Sequence, residues 1–87
     1  MIKNSKRYKE AYCKRLKLQR YFWEIVGTAE HINIPKLEDA IRKEFGCSDD
    51  RAIRAQIRLM QTEGRIKVQN NVKVWINQPL AINETET

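Results

Sequence analysis

The spacing of apolar positions changes twice along this chain, and each change marks a different kind of element. From about Ser5 to Val26 nothing breaks a helix, and Tyr8, Ala11, Leu18, Phe22, Ile25 and Val26 fall in one broad stripe at ~100° per residue. Arg15 intrudes on that stripe and is expected to snorkel out of it. Lys6, Lys9, Lys17 and Arg20 lie on the opposite side. A second apolar line, Tyr12, Leu16 and Trp23 with Gln19 between them, sits about 80–120° away. One helix with two apolar stripes needs two surfaces to pack against. The first stripe can face the chain's own core. The second is either a homodimer interface or the far side of a wide core contact.

Gly27 is expected to end this helix. The alternation Glu30-His31-Ile32-Asn33-Ile34 is long enough only for an isolated short strand. Pro35 suits the first position of a second helix, in which Leu37, Ala40, Ile41 and Phe45 recur at three- and four-residue spacing. Gly46 stops that run. Ser48 is the expected N-cap of a third helix, with Asp49 and Asp50 in the first turn where the helix dipole favours them. This helix runs to about Glu63, and Gly64 caps its end.

Beyond Gly64 the period drops to two. Arg65-Ile66-Lys67-Val68-Gln69 and Val72-Lys73-Val74-Trp75-Ile76-Asn77 alternate strictly around Asn70-Asn71, which predicts a hairpin. A two-residue turn would set Ile66 opposite Trp75. An odd-length loop would instead put Ile66, Val68, Val74 and Ile76 on one apolar face, and that cleaner face makes it the preferred register. Pro79 ends the strand, and residues 80–87 are expected to be a disordered tail. Residues 1–7 form a basic arm, so the predicted domain spans 8–79.

Charge sharpens this picture. The chain has 87 residues and a formal net charge of +6, which points to an anionic partner. Residues 1–23 carry +7, residues 24–50 carry −4, and residues 51–79 carry +5. Two basic segments therefore flank an acidic one, as on a body with a positive and a negative face. The third helix concentrates the argument. Arg54, Ala55, Arg58 and Thr62 all lie within about 60° of Arg51, while Ile53, Ile57 and Met60 cluster on the far side. Guanidinium forks can take O6 and N7 of guanine in the major groove, and a small residue such as Ala55 allows close approach or contact with a thymine methyl. Arginine at all three charged positions favours planar, two-pronged recognition over a point charge.

The order helix, short strand, helix, turn, helix, hairpin resembles the winged helix-turn-helix family of DNA-binding domains. The resemblance covers about residues 8–77. It rests on Ile32-Asn33-Ile34-Pro35-Lys36-Leu37 leading into the second helix, on Ser48 to Gly64 as third helix, and on Arg65 to Asn77 as wing. A lone short domain with a long basic, aromatic first helix is also similar to small winged-helix proteins of archaeal viruses and plasmids. The expected fold is α+β, mainly α: three helices, a short strand and a C-terminal β-hairpin wing. The resemblance implies a third helix in the major groove, here Arg51, Arg54 and Arg58 with Ser48 and Ala55. It implies wing contacts to backbone or minor groove, here Arg65, Lys67, Gln69, Asn70, Asn71 and Lys73, and a further contact from Lys36. Dimerisation through terminal helices matches Tyr12, Leu16, Gln19 and Trp23.

Other classes find less support. A charged start without an apolar segment argues against a secretory signal, and no run approaches the ~18 apolar residues of a membrane span, so an intracellular, cytoplasmic place is expected. Cys13, Cys47 and the single His31 give at most three soft ligands where zinc wants four, and both cysteines read as unpaired thiols. With no Ser-His-Asp set or Gly-rich phosphate loop, the chain is not expected to be an enzyme, and no cofactor, metal or small-molecule substrate is expected. The leading expectation is a sequence-specific regulator of transcription that binds double-stranded DNA as a homodimer. The alternatives are a replication, partition or packaging accessory that binds DNA non-specifically or as single strands, and a winged-helix protein-interaction module.

Overall fold

The computed structural model describes residues 2–79, with side chains from residue 9 onward. Its elements are α1 (Ile2–Val26), β1 (Ile32–Asn33), α2 (Ile34–Phe45), α3 (Asp50–Thr62), β2 (Ile66–Gln69) and β3 (Lys73–Ile76). Three helices thus pack with a three-stranded antiparallel sheet of order β1-β3-β2. The core joins all of them: Leu18 and Phe22 from α1, Leu37 and Ile41 from α2, Ile53, Ile57 and Met60 from α3, and Ile32, Ile66, Val74 and Ile76 from the sheet. The tail 80–87 and the side chain of Tyr8 lie outside what is described.

The first helix departs most from its expected form. It starts at Ile2, so residues 2–7 belong to the same helix. Its two apolar stripes are the flanks of one contact about 160° wide, running from Leu18 through Phe22, Arg15, Val26 and Gln19 to Leu16. The middle of that contact is polar. Arg15 does not snorkel; it is 1% exposed and held by partners inside the chain. Ile25 lies just off the edge of the contact, about 20° beyond Leu18, and is 51% exposed. Of the residues expected at a dimer interface, Leu16 and Gln19 are buried within this one chain, and Trp23 packs half-buried against its core. Tyr12 is half-buried beneath the Arg65 guanidinium, 4.6 Å from its ring centroid. The second line therefore serves the wide core contact.

At both ends of α2 the local signals act as expected. Gly46 ends α2 with φ at 64°, a left-handed conformation that side chains with a Cβ adopt only at a cost. Pro35 sits in the first turn of α2, where its missing N–H has no bond to lose. The α3 cap moves one residue on: Asp49, not Ser48, is the N-cap, and its carboxylate accepts from the Arg51 backbone N–H at 3.1 Å. The hairpin loop is odd. Ile66 pairs with Ile76 and Val68 with Val74, so all four share the core-facing side. Asn70 and Asn71 turn the chain with φ of 54° and 56°, which Asn tolerates better than other side chains. The strand before α2 is not isolated. Ile32 pairs with Val74 and Asn33 with Lys73, which makes β3 the central strand.

Candidate nucleic-acid interface

α3 owes its two-sided character to its sequence period. Ile53, Ile57 and Met60 anchor one face in the core, which fixes the helix rotation and sends Arg51, Arg54, Ala55 and Arg58 to solvent. Among the described residues none of the three arginines forms an ion pair or a side-chain hydrogen bond. A groove of about 550 Å³ runs along this helix between the hairpin and the start of α2, with Arg54, Arg58 and Gln61 on one side, Asn71 and Val68 on another, and Glu38 facing them. Three sequence-distant segments thus meet around two exposed guanidiniums. Ser48 is exposed just ahead of the cap.

Five expected contacts lie away from this groove. Arg65 is 3% exposed and is unavailable to a ligand. Its Nε donates to Glu63 Oε1 at 2.7 Å and its Nη1 to Gln19 Oε1 at 2.9 Å. Lys36 is exposed, but it lines a separate groove between α1 and α2 with Lys17 and Lys43. Lys67, Gln69 and Lys73 are exposed on the hairpin face opposite Val68 and Val74, because side chains alternate along a strand. Of the hairpin residues expected to contact a ligand, Asn71 lines the α3 groove beside Val68, while Asn70 is exposed next to it in the loop.

No family model, curated sequence or solved structure matches this chain.

Two groove residues escape the sequence pattern for different reasons. Gln61 stands about 80° from Arg51 on the helical wheel, just outside the arginine stripe, and a wider sector would have included it. Glu38 carries no such signal, since its place opposite Arg54 and Arg58 depends on how α2 packs against α3.

The end of α3 is held by the network that buries Arg15. Arg15 donates from Nε and Nη2 to the two oxygens of Glu63, at 3.0 and 2.7 Å, and from Nη1 to Gln56 Oε1 at 2.9 Å. Gln19 Nε2 donates to the Asn77 carbonyl at 2.8 Å, tying α1 to the end of β3. Burial alone would raise the Glu63 pKa; the hydrogen bonds and charges of Arg15 and Arg65 outweigh it and hold the carboxyl below its ordinary value. Glu63, at the C-terminus of α3, thus ties that helix to α1 through Arg15 and to the start of the hairpin through Arg65.

Proposed function

We propose that this chain is a winged helix-turn-helix protein that binds double-stranded DNA with sequence preference, as a regulator of transcription. The carrying observation is the face of α3: Arg51, Arg54 and Arg58 exposed without acidic partners, on a helix whose opposite side is locked in the core. The element order and the three-stranded sheet support the winged-helix reading, with the β2–β3 hairpin as the wing. In that arrangement α3 enters the major groove, where each guanidinium can take a guanine edge, and Ala55 keeps the helix close to the bases. Asn70 and Asn71 at the hairpin tip meet backbone or minor groove. Glu38 opposite the arginines can orient a guanidinium or accept from cytosine N4.

Titration of duplex DNA with wild type and with Arg54→Ala and Arg58→Ala tests this reading. Each substitution is expected to weaken binding to the preferred sequence by about 1–3 kcal/mol and to relax the preference at one position. Retained preference in the double variant would remove α3 from the role. Backbone-driven binding without preference is the second reading, favoured by the exposed lysines Lys67 and Lys73 on the hairpin. It predicts a slope of log K against log salt near −0.9 per phosphate contacted and equal affinity for all duplex sequences.

A further inference from the structure

The solvent side of the sheet carries a second constellation that the α3 reading does not use. Strand alternation and the observed register place Asn33 of β1, Lys67 and Gln69 of β2, and Lys73 and Trp75 of β3 on this side. Trp75 lies directly across from Lys67, and Lys73 across from both Gln69 and Asn33. The indole has two neighbours on this side: its Nε1 donates to Gln69 Oε1 at 3.2 Å, and the His31 ring packs against it at 5.3 Å between centroids and 52° between planes. Both rings are half-buried, so part of each reaches solvent. None of the strand residues on this side is acidic, and among the described residues neither Lys67 nor Lys73 forms an ion pair. The α3 groove meets the hairpin on its other face, through Val68.

We propose that this sheet face binds single-stranded nucleic acid, with an unpaired base stacking on Trp75 beside His31 and the flanking phosphates meeting Lys67 and Lys73. The chemistry selects this occupant. Two ammonium groups alone would suit any anion, but a partly exposed indole adjoining both calls for a flat partner bearing charge at its edges. A base with its phosphates has that form. Stacking is indifferent to base identity, so binding here is tolerant of sequence, in contrast to the arginine face. The site is independent of the duplex reading and stands or falls separately.

The test is titration of a fluorescently labelled oligothymidylate of about 12 nucleotides at low salt, following anisotropy and the protein's tryptophan emission. Trp75→Ala is expected to weaken binding about tenfold and to abolish the emission change on binding. Lys67→Ala combined with Lys73→Ala is expected to weaken binding and to make the salt slope shallower by roughly 1.4, at about 0.7 per phosphate contact on a single strand. That second variant changes only exposed side chains, so it decides the matter should Trp75→Ala unfold. Arg54→Ala with Arg58→Ala is expected to leave this binding unchanged. Absence of binding at low salt, binding that survives the Lys67/Lys73 changes, or binding lost instead with Arg54 and Arg58 would each overturn the proposal. So would saturation of this face by an acidic peptide while the oligothymidylate leaves it silent.

Discussion

Arginine plays two opposite parts in this molecule. Arg15 and Arg65 are 1% and 3% exposed and share one carboxylate, Glu63, with Gln56 and Gln19 completing their bonds. Arg51, Arg54 and Arg58 are exposed and have no acidic partner among the described residues. The first pair holds the scaffold together, and the second set is available to a ligand. A buried guanidinium is stable only when its donors are met, so its removal leaves a charge or an acceptor stranded. An exposed one adds little to stability and can be given to binding. Positive charge alone therefore does not separate a ligand-facing arginine from a structural one; burial and bonding partners do.

The largest effect should come from breaking the buried set. Glu63→Gln removes the charge that two buried arginines face, and is expected to cost about 3–5 kcal/mol in a urea titration. Arg54→Ala in the same measurement should stay within ~0.5 kcal/mol, as an exposed substitution without partners. In DNA binding the order reverses, with Arg54→Ala weakening duplex affinity by ~1–3 kcal/mol. Exchange for lysine draws the same line more finely. Arg65→Lys loses the forked bonds to Glu63 and Gln19 and the stacking on Tyr12, a stability loss of about 1–2 kcal/mol by urea titration. Arg58→Lys should keep stability and phosphate attraction while losing base discrimination, read as a flattened difference between cognate and scrambled duplexes.

The smallest effect concerns pH. The folded-state pKa of Glu63 lies below its ordinary value, so the carboxylate binds its proton more weakly in the fold than in the unfolded chain. Its stabilising contribution is complete above the ordinary value of 4.5 and declines as pH falls through the lowered one. Urea midpoints measured from neutral to acid pH should show a decline in this window that Glu63→Gln lacks. Parallel curves for the two proteins would place the titration elsewhere.

What the sequence made legible follows the range of each interaction. The hairpin register came from a local rule, since only an odd loop puts Ile66, Val68, Val74 and Ile76 together, and the strands pair that way. The arginine face of α3 was equally local, because Ile53, Ile57 and Met60 set the helix rotation. The polar centre of the α1 contact was not. Arg15 finds Glu63 at a separation of 48 residues and Gln19 finds Asn77 at 58, distances at which periodicity carries no information. Read alone, these two residues interrupt apolar stripes; in the fold they fill the space between them. The same blindness put Arg65 among the ligand contacts and Leu16 and Gln19 at a dimer interface.

The central claim is that the exposed arginines of α3 read duplex DNA, and selection of binding sites from a random duplex pool tests it most directly. The account predicts an enriched motif containing guanines, lost when Arg54 and Arg58 are both replaced by alanine; two half-sites about one helical turn apart would further indicate two copies per site. A pool that remains random after repeated rounds at low salt would contradict it.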